Sequence, residues 1–236
     1  MKRFLLATAI ACAGTVNLYA APDTLVTTLL HQAPGLREEV LRLALDASTK
    51  AAERGLVVRR NLLTVIDYSL PSSQQRLFVF DLAGRKLLFN ELVAHGKNSG
   101  GEIANFFSNE PGSEASSLGL FVTQDTYVGH NGYSLRLRGL EEGVNDMASE
   151  RAIVMHGAYY VSREAVRVLG RLGRSWGCPA VRAEIASKLI DTIRGGSAIF
   201  AYYPQESWLA TSAFLPHQAR ARSGRIASSN RPTSSK

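Results

Sequence analysis

The feature that most constrains this fold is a series of short apolar runs, each of strand length, that begins at Leu62. The first two, LLTVIDYSL and QRLFVFDLAGRKLLFNELVAHG, are rich in Val, Leu, Ile and Phe, and the second contains a hairpin signal, AG at 83–84. The stretch LGLFVTQDTYVGHNGYSLRLRGL turns at HNG, 130–132, and RAIVMHG and SAIFAYYP add further strands. Because apolar runs bounded by turn residues form strands, the sequence predicts a mainly β fold with flanking helices.

Helical patterns flank these runs. Residues 24–58 place apolar side chains on one stripe with charges opposite, and Gly55 suits the C-terminal cap. RAEIASKLIDTIRGG predicts a second helix that is closed by glycines. Residues 97–117 are rich in Gly, Asn, Ser and Pro, which predicts a loop.

The first 21 residues have the layout of an export signal. Lys2 and Arg3 form a basic head, an apolar stretch follows, and LYAAP offers small residues for cleavage after Ala20 or Ala21. The alternative is a short buried helix. We expect an exported protein of the periplasm or cell envelope, with no transmembrane segment in the mature chain.

The expected organisation is a signal peptide at 1–21, a helical segment at 22–58, a main domain at 59–205 and a basic, disordered tail at 206–236. The formal net charge is +7, of which Lys2 and Arg3 supply two, and residues 217–236 hold five basic residues and no acidic one. The rest of the chain is therefore close to neutral. This distribution does not describe a nucleic-acid-binding face.

Removing residues 1–21 leaves Cys178 as the single cysteine, which excludes an intramolecular disulfide. A lone cysteine in an exported protein indicates intermolecular pairing or a reactive thiol, and a buried, inert side chain is the alternative. A catalytic thiol needs a group that takes its proton, and His156 is upstream at the end of a predicted strand. The amides of Gly177 and Cys178 are candidates for the oxyanion hole of an acyl transfer.

The order of these residues resembles a known active-site signature. His156-Gly157, a spacer and SWGC at 175–178 are similar to the YkuD-type L,D-transpeptidases, whose common form is His-x, a spacer, then Ser or Thr, His, Gly and Cys. FSNEPGSEASSLGLF resembles that family's PxGxF strand. YSLRLRGLEEGVNDMASERAIVMHGAYYV and GRLGRSWGCPAV resemble its murein L,D-transpeptidase catalytic domain subgroup. The resemblance covers roughly residues 62–204 and implies an L,D-transpeptidase-like β-sandwich preceded by a helical segment.

The resemblance implies a role for each matching residue. Cys178 would be the nucleophile, His156 its base, and the Gly157 carbonyl the group that orients the imidazole. Amides near Trp176, Gly177 and Cys178 would form the oxyanion hole. Two positions depart from the common form, because Trp176 replaces a histidine and Ala180 replaces an arginine. The nearby Arg182 is then a candidate for a substrate carboxylate, and Ser175 either hydrogen-bonds near the nucleophile or shapes the turn.

The implied reaction is acyl transfer on peptidoglycan stem peptides, with no cofactor and no metal. Cys178 would attack the diaminopimelate–D-alanine bond of a tetrapeptide stem, release D-alanine and form a thioester. A second stem would give a 3→3 cross-link, water would make the enzyme an L,D-carboxypeptidase, and an outer-membrane lipoprotein lysine would make it an anchoring enzyme. The same resemblance implies that carbapenem-type β-lactams would acylate Cys178.

Two other functions remain open from the residues. The basic tail is consistent with a non-catalytic module that binds anionic cell-wall polymers. His95, His130 and His156 suggest a zinc hydrolase, but their spacing matches no zinc motif. His95 and His130 are better explained as turn residues or groove walls. Lys97, Asn98, Ser99 and Gly100 either line the substrate groove or form a polar surface loop.

Overall fold

The computed structural model describes residues 24–216. Its five helices are α1 Thr24–Gln32, α2 Glu38–Glu53, α3 Arg163–Leu169, α4 Ala183–Ile193 and α5 Glu206–Thr211. Its nine strands are β1 Leu62–Asp67, β2 Leu77–Asp81, β3 Lys86–Glu91, β4 Val93–Ala94, β5 Gly119–Gly129, β6 Gly132–Gly139, β7 Val154–Ala158, β8 Ala180–Arg182 and β9 Ala198–Tyr202. The expected mainly β fold with flanking helices is confirmed, and both predicted hairpins form, as β2–β3 and β5–β6.

All nine strands belong to one sheet, in the order β3-β2-β1-β9-β5-β6-β7-β8-β4. The pairs β1–β9 and β7–β8 are parallel, and the other neighbours are antiparallel. The outer strands β3 and β4 are separated in the chain by Leu92 alone, so the sheet must curl until its two ends come close together. Its two halves therefore form facing layers.

The helices α1 and α2 share one core with the sheet. The chain breaks between them at Pro34-Gly35, where Gly35 has a φ of 89°. Val40 and Leu41 on α2 are fully buried in the same apolar cluster as Val65 of β1. None of the helices within 24–216 has the length and apolar character needed to cross a bilayer.

The expectation of a disordered tail from residue 206 is wrong for residues 206–216. Helix α5 forms there, and Trp208 is 3% exposed against Phe200 and Tyr202 of β9. Its indole Nε1–H donates to Glu141 Oε2 at 3.0 Å. The apolar contribution of Trp208, Phe214 and Leu215 outweighs the polar composition around them. The predicted export signal at 1–21 and the remaining tail at 217–236 lie outside the described residues.

Candidate active site

Two parallel strands bring the candidate histidine and cysteine together. In the β7–β8 register, His156 lies opposite Ala180. Cys178 comes two residues before Ala180, and its Sγ is 3.4 Å from the backbone nitrogen of Val154, two residues before His156. The thiol therefore lies beside β7, the strand that carries the imidazole. It is level with Val154, which is two residues or about 7 Å along the strand from His156.

The thiol is half-buried and makes backbone contacts. The Val154 N–H donates to Sγ at 3.4 Å, and Sγ lies 3.8 Å from the Ala152 carbonyl oxygen, which can accept from the thiol. In the described part of the chain, neither ring nitrogen of His156 hydrogen-bonds to Sγ. Burial raises the pKa of Cys178, while the Val154 N–H and the charge of Arg151 lower it; the net direction is upward. The resting thiol is therefore protonated at neutral pH and needs a base.

The imidazole of His156 is held in one tautomer. Nδ1 lies 2.9 Å from the Gly157 carbonyl oxygen, which can only accept, so Nδ1 carries the proton and Nε2 keeps its lone pair. Burial lowers the pKa of His156, although the bond to Gly157 opposes this. The ring is therefore neutral at neutral pH, which is the state that a general base requires.

Helix α4 packs directly on Gly157 and fixes the position of its carbonyl. A Cβ on Gly157 would lie 2.9 Å from the Cβ of Ala186 and 3.2 Å from the Cα of Ala183. A larger residue would push β7 away from α4, and with it the carbonyl that orients the imidazole.

The turn that precedes Cys178 is organised by Ser175. Its Oγ donates to the Cys178 carbonyl oxygen at 2.6 Å and accepts from the Gly177 N–H at 3.2 Å. These two bonds fit both roles expected for Ser175, because one of them reaches the backbone of Cys178 and together they hold the turn. Gly177 has a φ of 113°, and a Cβ there would lie 2.7 Å from the Ala115 carbonyl oxygen. Both observations require glycine at this position.

The hydrogen bond to Ser175 changes the expected set of oxyanion donors. The Gly177 N–H is already engaged, whereas the N–H groups of Trp176 and Cys178 make no hydrogen bond to any residue between 24 and 216. These two amides are therefore the better candidates for an oxyanion.

The loop at 97–117 lies against the same turn. The Lys97 N–H donates to the Ser175 carbonyl oxygen at 2.7 Å, and Lys97 Nζ lies 5.7 Å from the ring centroid of Trp176. Lys97 also pairs with Glu114, with 2.5 Å between Nζ and Oε2. Trp176 is 75% exposed. An exposed aromatic ring and a partly paired cation thus border the candidate nucleophile.

Arg182 is placed differently from the role expected for it. Its Nε and Nη2 donate to the two carboxylate oxygens of Glu91 at 2.8 and 2.7 Å, and Glu91 is buried. These bonds raise the pKa of Arg182. The face that would hold a substrate carboxylate is occupied, so Arg182 serves as an ion pair between β8 and β3.

Sequence reasoning missed Arg151. It donates four hydrogen bonds to the loop at 108–117, and its charge acts on Cys178. No local motif marks it, because its partners lie more than thirty residues away in the chain. The one available signal was its place five residues before His156, at the start of the RAIVMHG stretch.

A buried cluster beneath the site was also missed. Arg76 is fully buried, its Nη2 lies 2.7 Å from His95 Nδ1, and its guanidinium covers the ring of Tyr68. Burial lowers the pKa of His95 to about 4, and the Arg76 charge adds to this. His95 is thus a core residue and not a groove wall. Across residues 24–216, no group of three or more His, Cys, Asp or Glu side chains could hold a metal ion.

One comparison with known proteins identifies a family. A family model described as L,D-transpeptidase catalytic domain matches residues 32–202. The chain resembles an L,D-transpeptidase from Mycobacterium smegmatis at 14% identity, over 61% of this chain and 59% of that one, with a TM-score of 0.39. It resembles L,D-transpeptidase 1 of Mycobacterium tuberculosis at 14% identity, over 61% and 62%, with a TM-score of 0.34.

A third solved structure is the helical cell shape determining protein Pgp2 from Campylobacter jejuni, at 8% identity over 69% of this chain and 52% of that one, with a TM-score of 0.39. The chain spans about three fifths of the length of the mycobacterial proteins. A comparison with curated proteins found no match.

Proposed function

The chain belongs to the L,D-transpeptidase catalytic domain family, and from this premise we propose that it is an exported cysteine acyltransferase that acts on peptidoglycan tetrapeptide stems. The observation that supports the proposal is the position of the Cys178 thiol beside β7, the strand that carries the neutral imidazole of His156. The His156 ring has its proton fixed on Nδ1 by Gly157, which leaves Nε2 available as the base.

The first half of the reaction forms a thioester. Cys178 Sγ attacks the carbonyl carbon of the diaminopimelate–D-alanine bond while its proton passes to His156 Nε2. Negative charge collects on the carbonyl oxygen, where the Trp176 and Cys178 N–H groups donate. When the tetrahedral intermediate collapses, the C–N bond breaks, the imidazolium returns the proton to the departing amine, and D-alanine leaves.

The second half resolves the thioester. An amine of a second stem attacks the thioester carbonyl and gives its proton to His156, and the C–S bond breaks. Cys178 recovers a proton from the imidazolium, and the product is a 3→3 cross-link. Water in place of the amine gives L,D-carboxypeptidase activity. No observation on the described residues favours a lipoprotein lysine as acceptor, so we do not propose one.

The thiol must turn before it can react. In the resting structure Sγ faces the Ala152 carbonyl oxygen and the Val154 N–H. A rotation about χ1 of Cys178 is the smallest movement that redirects it, and catalytic hydrogen bonds often form only once substrate is bound.

The test is to incubate the purified protein with a disaccharide-tetrapeptide and to measure the mass of the intact protein and the release of D-alanine. We expect an adduct on Cys178 that lacks D-alanine, and none with Cys178→Ala. Because general base catalysis contributes about 10²–10⁴-fold, His156→Gln should slow acylation by that factor.

His130→Gln is the matched control, because His130 lies in the turn between β5 and β6. It should acylate at the wild-type rate. An adduct that persists in Cys178→Ala, or equal rates for His156→Gln and wild type, would contradict the proposal. Binding to cell-wall polymer that survives in Cys178→Ala, without any D-alanine release by the wild type, would instead indicate a non-catalytic wall-binding module.

A further inference from the structure

The guanidinium of Arg151 hydrogen-bonds to the loop at 108–117, which lies beside the candidate site. Nη1 donates to the Ser108 carbonyl oxygen at 2.7 Å and to Ser117 Oγ at 2.6 Å. Nη2 donates to Ser113 Oγ at 3.1 Å and to the Ala115 carbonyl oxygen at 2.6 Å. Four bonds from one side chain therefore fix both ends and the middle of the loop at 108–117.

All four partners of Arg151 are neutral. Within the part of the chain that the structure describes, no carboxylate lies at ion-pair distance from it; the charge of Glu110 raises its pKa only from further away. Burial lowers the pKa of Arg151, which is the largest influence on it. A half-buried cation without a counter-ion is costly, so its position needs another reason.

The reason lies in what the guanidinium faces. Arg151 Nη2 is 3.3 Å from the point that a Cβ on Gly177 would occupy, and its partner, the Ala115 carbonyl oxygen, is 2.7 Å from the same point. The guanidinium group of Arg151, the fork formed by Nη1 and Nη2, therefore packs against the turn that carries Cys178. The charge of Arg151 lowers the pKa of the thiol, and the thiolate in turn raises the pKa of Arg151.

A comparison with Arg76 shows that burial and carbonyl partners alone do not bring a guanidinium to the thiol. It is also buried and bonded to carbonyl oxygens, but it lies over Tyr68 and His95 in the interior. Arg151 alone of these two interacts electrostatically with the Cys178 thiol.

We propose that Arg151 is a positioning residue of the site: it holds the loop at 108–117 against the Gly177 backbone and stabilises the negative charge that Cys178 acquires as its proton leaves. The proposal rests on the acyl-transfer function proposed above. In the resting site the imidazole of His156 is neutral and Arg182 is paired with Glu91, so Arg151 is the cation whose charge acts on the thiol. No atom is transferred to or from Arg151.

The other titratable groups that face the thiol stay neutral while it titrates. Burial raises the pKa of Tyr160 to about 12 and raises that of Tyr68 as well. His156, with its lowered pKa, is uncharged throughout the alkaline range. Burial and the Val154 N–H also act on the pKa of Cys178, so it is the change in the Cys178 midpoint on replacing Arg151 that reports the Arg151 charge.

The experiment measures the rate of alkylation by iodoacetamide against pH, on the peptide that carries Cys178, by mass spectrometry. In the wild type the midpoint should lie above the ordinary thiol value of 9.0. Removing a cation close to a thiol moves its pKa by about one unit, so Arg151→Gln should raise the midpoint by about one unit. The rate at pH 7 should fall only about threefold, because a more basic thiolate is also more nucleophilic.

Arg151→Lys keeps the charge and loses the fork, and Arg163→Gln removes an exposed arginine on α3. Both should keep the wild-type midpoint to within about half a unit, since the charge near the thiol is unchanged. A purely structural role predicts that Arg151→Gln lowers the unfolding temperature without moving the midpoint, and that result would overturn the proposal.

If Arg151→Gln does not fold, Arg151→Met, which keeps an unbranched side chain without the charge, is titrated in its place: a midpoint raised by about one unit supports the proposal, and a wild-type midpoint overturns it. The assay uses no peptidoglycan. A thiol titration that depends on Arg151, in a protein that releases no D-alanine, would keep this inference and reject the proposed reaction. D-alanine release by a protein whose Cys178 midpoint does not change in Arg151→Gln would support the proposed reaction and reject this inference.

Discussion

Gly177 is a residue at which one added methyl group should affect both stability and activity. Its φ of 113° is one that residues with a side chain rarely adopt. A Cβ added at Gly177 would also lie only 2.7 Å from the Ala115 carbonyl oxygen. We expect Gly177→Ala to lose about 1–3 kcal/mol of unfolding free energy from backbone strain alone, and to abolish acylation of Cys178 as the turn shifts. Chemical denaturation and the intact-mass assay measure the two effects.

The matched control for this change is Gly143→Ala. Gly143 also has a positive φ, 71°, but a Cβ there would meet nothing within 4 Å. It should lose about 1 kcal/mol or less and acylate normally. Equal losses of stability and activity in the two variants would show that contact with Ala115 does not matter.

His95 makes a prediction about stability and pH. Its pKa is about 4 in the folded protein, against an ordinary value of 6.5. Above pH 6.5 neither state binds the proton, and as the pH falls towards 4 only the unfolded chain does. The folded state should therefore lose about 2 kcal/mol from this residue between pH 7 and pH 5, and no more below pH 4.

His95→Gln removes the titration while it keeps an acceptor for Arg76. Urea unfolding at pH 7 and pH 5 should show a smaller loss in this variant than in the wild type, by about 2 kcal/mol. The other titrating groups are common to both proteins and cancel. An identical pH dependence in the two would mean that His95 is not held neutral by burial on Arg76.

The residues that could be found from sequence are those whose chemistry lies in one short stretch. His156, Gly157 and Cys178 stand in two such stretches, and the resemblance of these stretches to the L,D-transpeptidase signature is what predicts acyl transfer. Arg151 could not be found in this way, because its hydrogen-bond partners lie in the loop at 108–117 and reach it only in the folded chain. Arg182 misled for the same reason: Glu91, its partner, is distant in the chain and became visible only once β3 and β8 were placed.

At the scale of an element, α5 depends on one side chain. The helix has six residues, too few to be stable by itself, so the burial of Trp208 must supply most of its stability. Trp208→Ala should cost about 3–5 kcal/mol of unfolding free energy. Trp208→Phe, which keeps most of the ring but loses the hydrogen bond to buried Glu141, should cost about 1–3 kcal/mol.

Trp176→Ala provides the comparison, because Trp176 is 75% exposed. It should change the unfolding free energy by no more than about 0.5 kcal/mol. A similar loss in the two tryptophan variants would contradict the packing of α5 on β9.

Polarity explains why the sequence did not reveal this element. The residues around Trp208 are mostly polar, and six residues are too few to display a helical period. The β2–β3 and β5–β6 hairpins were predictable because their turn residues and their paired apolar runs lie side by side in the chain. Composition alone does not distinguish a disordered tail from a short helix fixed by a single large side chain.

Over the whole molecule, the pairings between strands that lie far apart in the chain were beyond sequence reasoning. The parallel β1–β9 pair joins Leu63 to Ala198, and nothing local to either strand specifies the other. This pair places the last strand at the centre of the sheet, beneath α2. The apolar cluster that results includes α2, β1 and β9 together, so the helical segment and the sheet should unfold as one unit.

Leu41→Ala tests whether the helical segment and the sheet unfold as one unit. Leu41 is fully buried on α2, and its truncation should cost about 2–5 kcal/mol. In a Trp176→Phe background, fluorescence reports Trp208, which packs on Phe200 and Tyr202 at the centre of the sheet. If helix and sheet share one core, the Trp208 transition and the far-ultraviolet circular dichroism transition move together by the same amount. Leu45→Ala, at a half-buried position, should move both by less. A circular dichroism transition that shifts while the Trp208 transition stays in place would mean that α2 folds as a separate unit and that the candidate site does not depend on it.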